Sequence, residues 1–180
     1  VTFNTGYGQD GIDSFAIFDR LQIEGVIPAG VKFQVCIPTP LAPGYNFVSP
    51  SAQDDFIPVY TDHIIGEVKK IVDFIPHHRL SIQWDVCQEV LMWEDYYDYD
   101  RPGYKEEIFS VLAQIGDAVP AGVELGYHLC YGSPRDEHLV QPKDSANMVE
   151  MIHGIAAAVN RTIEFFHIPV PKERDDSGYF

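Results

Sequence analysis

The pentapeptides Ile27-Pro28-Ala29-Gly30-Val31 and Val119-Pro120-Ala121-Gly122-Val123 decide how this sequence folds. Each follows an amphipathic run and precedes a short apolar one. Proline cannot continue a helix and glycine permits a tight reversal, so both read as helix-to-strand junctions. Ile75-Pro76-His77-His78-Arg79-Leu80 and Val159-Asn160-Arg161-Thr162-Ile163 do the same work with other residues. The four junctions recur about every 40 to 50 residues, the spacing of a βα unit with generous loops.

Upstream of the junctions the apolar residues keep helical spacing. Ile108, Val111, Leu112, Ile115 and Val119 form one stripe of a helix, and Ile64, Val68, Ile71, Val72 and Ile75 form another. Met148, Met151, Ile152, Ile155 and Val159 repeat the pattern, with Asp144 as the N-cap. Phe15, Phe18 and Leu21 mark an earlier helix. Downstream, strands are expected over Val31–Ile37, Leu80–Val86, Val123–Leu129 and Ile163–Ile168, and Val1–Asn4 as the tail of another.

Strands alternating with helices imply an α/β fold with a parallel sheet and right-handed crossovers. No Gly-x-Gly-x-x-Gly or Walker-type loop follows any of these strands, which removes the usual support for a nucleotide-binding open sheet. The expected fold is therefore a TIM-like (β/α)₈ barrel. Such barrels need about 250 residues. This chain has 180, room for about four βα units, and reads as a single domain (1–180) forming part of a barrel. Two open sheet edges then invite a second copy of the chain or the remainder of the barrel as partner.

Composition narrows the function classes. With 46% hydrophobic and 22% charged residues, this is an ordinary globular sequence. A net charge of −15 with 12 Lys and Arg leaves no clustered cations for phosphates, which argues against nucleic acid. No apolar run approaches the roughly 20 residues that span a bilayer. No signal-peptide pattern opens the chain, although it starts at Val1 and an upstream piece is compatible with that. Cys36, Cys87 and Cys130 are odd in number and widely spaced, unlike a disulfide framework, so a cytoplasmic location is expected.

In barrels the chemistry sits at the C-terminal ends of the strands. Here those ends read Cys36-Ile37-Pro38-Thr39-Pro40, Gln83-Trp84-Asp85, His128-Leu129-Cys130 and His167-Ile168-Pro169. His128 and Cys130 stand two apart on a strand, so they share a face. Thiolate and imidazole suit a zinc ion, with His167 from the next unit as a third ligand. Core packing of the cysteine and a backbone-satisfied histidine are the plain alternatives. Asp85, ending an apolar strand, needs a partner if buried. It is a candidate to hold a substrate amine or act as a base, against a helix cap or a salt bridge to Arg79. The acidic, aromatic segment from Glu94 to Gly103 is either a solvated insertion or a loop over the site. His77 and His78 fall at the opposite end, and His138 and His153 are given no role.

These strand ends resemble the cobalamin-independent methionine synthase family, within the methionine synthase and uroporphyrinogen decarboxylase superfamily. Leu125-Gly126-Tyr127-His128-Leu129-Cys130-Tyr131 is similar to that family's His-x-Cys-Tyr strand, and Ser81-Ile82-Gln83-Trp84-Asp85 to its Ile-Gln-x-Asp strand. Phe33-Gln34-Val35-Cys36-Ile37-Pro38-Thr39-Pro40 and the ending His167-Ile168-Pro169-Val170-Pro171 with Arg174-Asp175-Asp176 resemble an uncharacterised branch of it. The resemblance implies zinc held by His128 and Cys130, with Asp85 against the amino group of a small thiol amino acid. His167 stands where the family carries a glutamate ligand. The implied activity is a zinc-dependent, methyltransferase-like transfer to a small thiol. The alternatives are a metal-free lyase of the decarboxylase type and a non-catalytic barrel that binds a small molecule.

Overall fold

The computed structural model describes residues 3–97 and 102–170. It is an α/β arrangement with one four-stranded sheet, ordered β1 (Phe33–Pro38), β2 (Leu80–Val86), β3 (Glu124–Leu129) and β4 (Phe165–His167). All neighbouring strands are parallel. The helices are α1 (Tyr7–Ile23), α2 (Leu41–Phe47), α3 (Pro50–Phe74), α4 (Gln88–Trp93), α5 (Tyr104–Asp117) and α6 (Ala146–Ala158). Spatial order follows chain order, with no reversal at which a doubly wound sheet would switch direction.

The junctions behave as the proline and glycine content predicts, with one refinement. Val31 N–H donates to the Pro28 carbonyl at 3.0 Å and Val123 N–H to that of Pro120 at 2.9 Å. Arg79 N–H likewise meets Pro76 O at 2.9 Å. The turns at Pro28 and Pro120 hold back the valine expected to open the strand, so β1 begins at Phe33 and β3 at Glu124. Only β2 has the expected limits. The fourth strand shortens to three residues. Its junction is pinned instead by Arg161, whose Nη1 donates to the carbonyls of Val119 and Pro120, and Nη2 to that of Val123, all at 2.7 Å. Phe3 and Asn4 are not in a strand, and the Phe3 ring packs edge-on against Tyr60 at 5.0 Å. Val1 and Thr2, like Arg174-Asp175-Asp176, lie outside the described residues.

The two faces of the sheet differ. Val35, Ile37, Ile82, Trp84, Leu125, Tyr127 and Phe166 alternate onto one face, and the long helices cover it. Ile37, Ile82, Trp84, Leu125 and Tyr127 are fully buried there. Each such side chain stabilises the fold by about 1.5–3 kcal/mol. Tyr127 Oη donates to the Leu112 carbonyl of α5 at 2.8 Å. Gly116 allows that approach, since a Cβ there would stand 2.1 Å from the phenol oxygen.

Two helical expectations are extended. α3 runs 25 residues from Pro50 through Pro58, well upstream of the Ile64 stripe. The N-cap of α6 is Ser145, but Asp144 still caps its first turn, accepting from Ala146 N–H at 2.9 Å. Among the described residues no helix is long and apolar enough to cross a membrane.

Candidate functional site

The opposite face carries Gln34, Cys36, Ser81, Gln83, Asp85, Glu124, Gly126, His128, Phe165 and His167. Register brings three of the expected site residues into one row. Pro38 pairs with Asp85, Asp85 with His128, and His128 with His167. The sequence placed these residues at strand ends, and the sheet makes them direct neighbours. Cys130 lies one step beyond on the same face, where its N–H still reaches Val86 O at 3.4 Å. Behind the row, Gly126 lets the Phe165 ring lie flat on the strand, since a Cβ would meet that ring at 2.1 Å.

Asp85 is half-buried and accepts from Gln83 Nε2 at 2.8 Å. Burial raises its pKa above the usual carboxylate range, against the opposing pull of that hydrogen bond and of His128. The alternative reading of a salt bridge from Asp85 to Arg79 is not what forms. Arg79 pairs with Asp19 at 2.7 Å and Gln22 at 2.6 Å, at the other end of the sheet.

The His128 ring lies 4.4 Å from that of His167, centroid to centroid, and its Nδ1 is 3.3 Å from the His167 carbonyl. A carbonyl only accepts, so Nδ1 carries the proton there and Nε2 is left for the site. A hydrogen bond to Cys130 raises the His128 pKa, helped by the Asp85 carboxylate and opposed by burial. Cys130 is pushed down from the usual thiol range, first by a hydrogen bond from the Cys87 thiol, then by one from His128. Cys87 is pushed up for the matching reason, since it must keep its proton to donate. Cys130 is thereby biased toward the thiolate, His128 toward the imidazolium and Cys87 toward the protonated thiol.

Glu89 was not singled out from the sequence. It lies in α4, is fully buried, and accepts a hydrogen bond from Thr39 Oγ1. Its Oε2 has no hydrogen-bond partner among the described residues. Desolvation pushes its pKa up to about 7, opposed by the Thr39 hydroxyl, with a smaller push from the charge on Cys130. The available signal was a lone carboxylate in the run Glu89-Val90-Leu91-Met92-Trp93, every residue of which is buried.

Cys130 and His128 bring a sulfur and an imidazole to the same end of β3, and the anchoring of His128 Nδ1 on a backbone carbonyl is the support that zinc-binding histidines use. Among the described residues no three His, Cys, Asp or Glu side chains converge closely enough to hold a metal ion. His167 stacks beside His128 in this arrangement.

Three further histidines lie outside this row. His77 Nε2 meets Val72 O at 3.1 Å, the His138 ring lies 5.3 Å from that of Tyr131, and His153 is exposed. Of the segment after Trp93, Tyr97 donates to Gln88 Oε1, and residues 98–101 lie outside the described residues. No family model, curated protein or solved structure matches the chain.

Proposed function

We propose that the chain is part of a (β/α) barrel enzyme of the methionine-synthase-like type, acting on a small thiol substrate at the Asp85, His128 and Cys130 row. One observation carries this reading: the parallel register sets Asp85, His128 and His167 abreast at the C-terminal end of the sheet, with Cys130 directly after β3. Strand order in chain sequence supports a barrel over a doubly wound sheet. In this reading Cys130 and His128 hold zinc, which when bound favours the thiolate form of a substrate thiol. Asp85 orients the substrate by accepting from its amino group, and Gln83 fixes the carboxylate for that task. Three free cysteines suit a reducing, cytoplasmic setting.

The test is zinc content of the full-length protein after metal-replete purification, paired with calorimetric titration of homocysteine. The reading expects near-stoichiometric zinc, lost in Cys130→Ser and His128→Ala together with thiol binding. Less than about a tenth of an equivalent in the unaltered protein would end it.

A second reading, a metal-free lyase, draws on Asp85 and Glu89, two of the carboxyls that burial raises. It expects ligand binding to survive in His128→Ala and Cys130→Ala and to fail in Asp85→Asn.

A further inference from the structure

We propose that Gln34 and Cys36 are positioning residues for Asp85, acting through the buried amide of Gln83. All four side chains lie on the polar face of β1 and β2. Cys36 pairs with Gln83 in the register, with Gln34 two residues before Cys36 on β1 and Asp85 two after Gln83 on β2. Gln34 Nε2 donates to Gln83 Oε1 at 3.2 Å, and Gln83 Nε2 donates to Asp85 Oδ1 at 2.8 Å. The same two amide nitrogens meet the Cys36 sulfur, at 3.3 Å from Gln34 and 3.4 Å from Gln83. Gln83 is 5% exposed, so water competes little for its amide.

A glutamine amide carries its acceptor oxygen and its two donor hydrogens in fixed relation. The bonds of Gln83 to Gln34 and Asp85 therefore have a direction. Turning this amide over would set oxygen against the Asp85 carboxylate and nitrogen against the Gln34 nitrogen. Both bonds would be lost together, in a place where an unmade bond is costly. Gln34 supplies the donor that keeps the Gln83 oxygen away from Asp85, and the Cys36 sulfur takes up the remaining hydrogens of the two amides. The relay holds one oxygen of Asp85 as an acceptor and so fixes the carboxylate in place. Resting on the function proposed above, this sets the preference of Asp85 for a ligand that brings an ammonium group over one that lacks it. Gln34 and Cys36 are themselves exposed, so substitution there disturbs the relay without opening a cavity in the core.

The experiment has two arms, both on the reduced full-length protein. The first follows hydrogen exchange of the Gln83 side-chain amide by heteronuclear NMR, its signals identified by their loss in Gln83→Leu. Gln34→Met removes the donor at nearly constant length, and Cys36→Ala removes the sulfur. Either variant is expected to speed that exchange by about tenfold. The second arm compares calorimetric titration of homocysteine with that of γ-mercaptobutyric acid, which differs only in lacking the amino group. The unaltered protein should prefer homocysteine, and in Gln34→Met that preference should shrink by about tenfold while affinity for the deaminated analogue holds. A merely structural role would weaken both ligands alike. Exchange at Gln83 unaltered by either substitution, or equal weakening of the two ligands, would overturn the proposal. Should the unaltered protein bind neither ligand, the proposed function fails and the Gln83 exchange rates alone decide whether the relay exists.

Discussion

The helix-covered and polar faces of one sheet obey different constraints, although their residues alternate along the same strands. Trp84 and Gln83 are adjacent in the chain and both nearly inaccessible, at 0% and 5% exposure. Trp84 packs among aliphatic and aromatic side chains, where shape and apolar area decide its worth. Gln83 is held by polar partners, accepting from Gln34 and donating to Asp85. The first face stabilises the fold. The second holds polar groups out of water, which is costly unless they are hydrogen-bonded, as Gln83 is.

The largest expected effect separates the two faces directly. Trp84→Ala should cost about 3–5 kcal/mol in urea unfolding, from lost burial and the cavity left behind. Gln83→Ala, one residue away, should cost about 1 kcal/mol, since it removes hydrogen bonds with little apolar packing. Equal losses would erase the distinction.

Glu89 sharpens the comparison through pH. Its folded-state pKa of about 7 stands above the ordinary 4.5. A raised carboxyl contributes stability that is fully present below the unfolded pKa and lost as pH rises through the folded one. At about 1.4 kcal/mol per unit, up to about 3 kcal/mol should disappear between pH 4.5 and pH 7. Glu89→Gln keeps an acceptor for Thr39 without the charge. It should therefore unfold at higher urea than the parent above pH 7 and lose that advantage near pH 4.5. A pH-independent difference would show that Glu89 does not titrate in this range.

A smaller effect is expected where the polar face meets its edge strand. Gly126→Ala places a methyl group in the Phe165 ring, which must move away. The cost should be about 1–3 kcal/mol, with faster amide exchange at Phe165 to His167. Unchanged exchange would mean that β4 is not held by this contact.

The sequence revealed the alternation of helix and strand through Pro, Gly and apolar period, because those signals are local. It also revealed Asp85, His128 and Cys130 as strand-end residues. Register was not legible, because the chain cannot say which strand ends stand abreast until long-range packing fixes them. Hence the pairing of Asp85 with His128 appeared only in the structure, whereas His167 was already expected beside His128 from the next unit. The strand starts moved because the Pro-to-Val turn bonds consume residues that look like strand. Glu89 was missed because burial of α4 is a tertiary outcome of a six-residue segment too short to show a period.

The most direct test is the rate of Cys130 alkylation by iodoacetamide as a function of pH, read by mass spectrometry in the unaltered protein and in Cys87→Ala and His128→Ala. A thiolate held by Cys87 and His128 should stay reactive well below the ordinary thiol range of about 8.5, with each substitution raising the apparent pKa. A tenfold fall in rate per pH unit from about 8.5 downward, unchanged by either substitution, would contradict a thiolate–imidazolium pair at the strand ends.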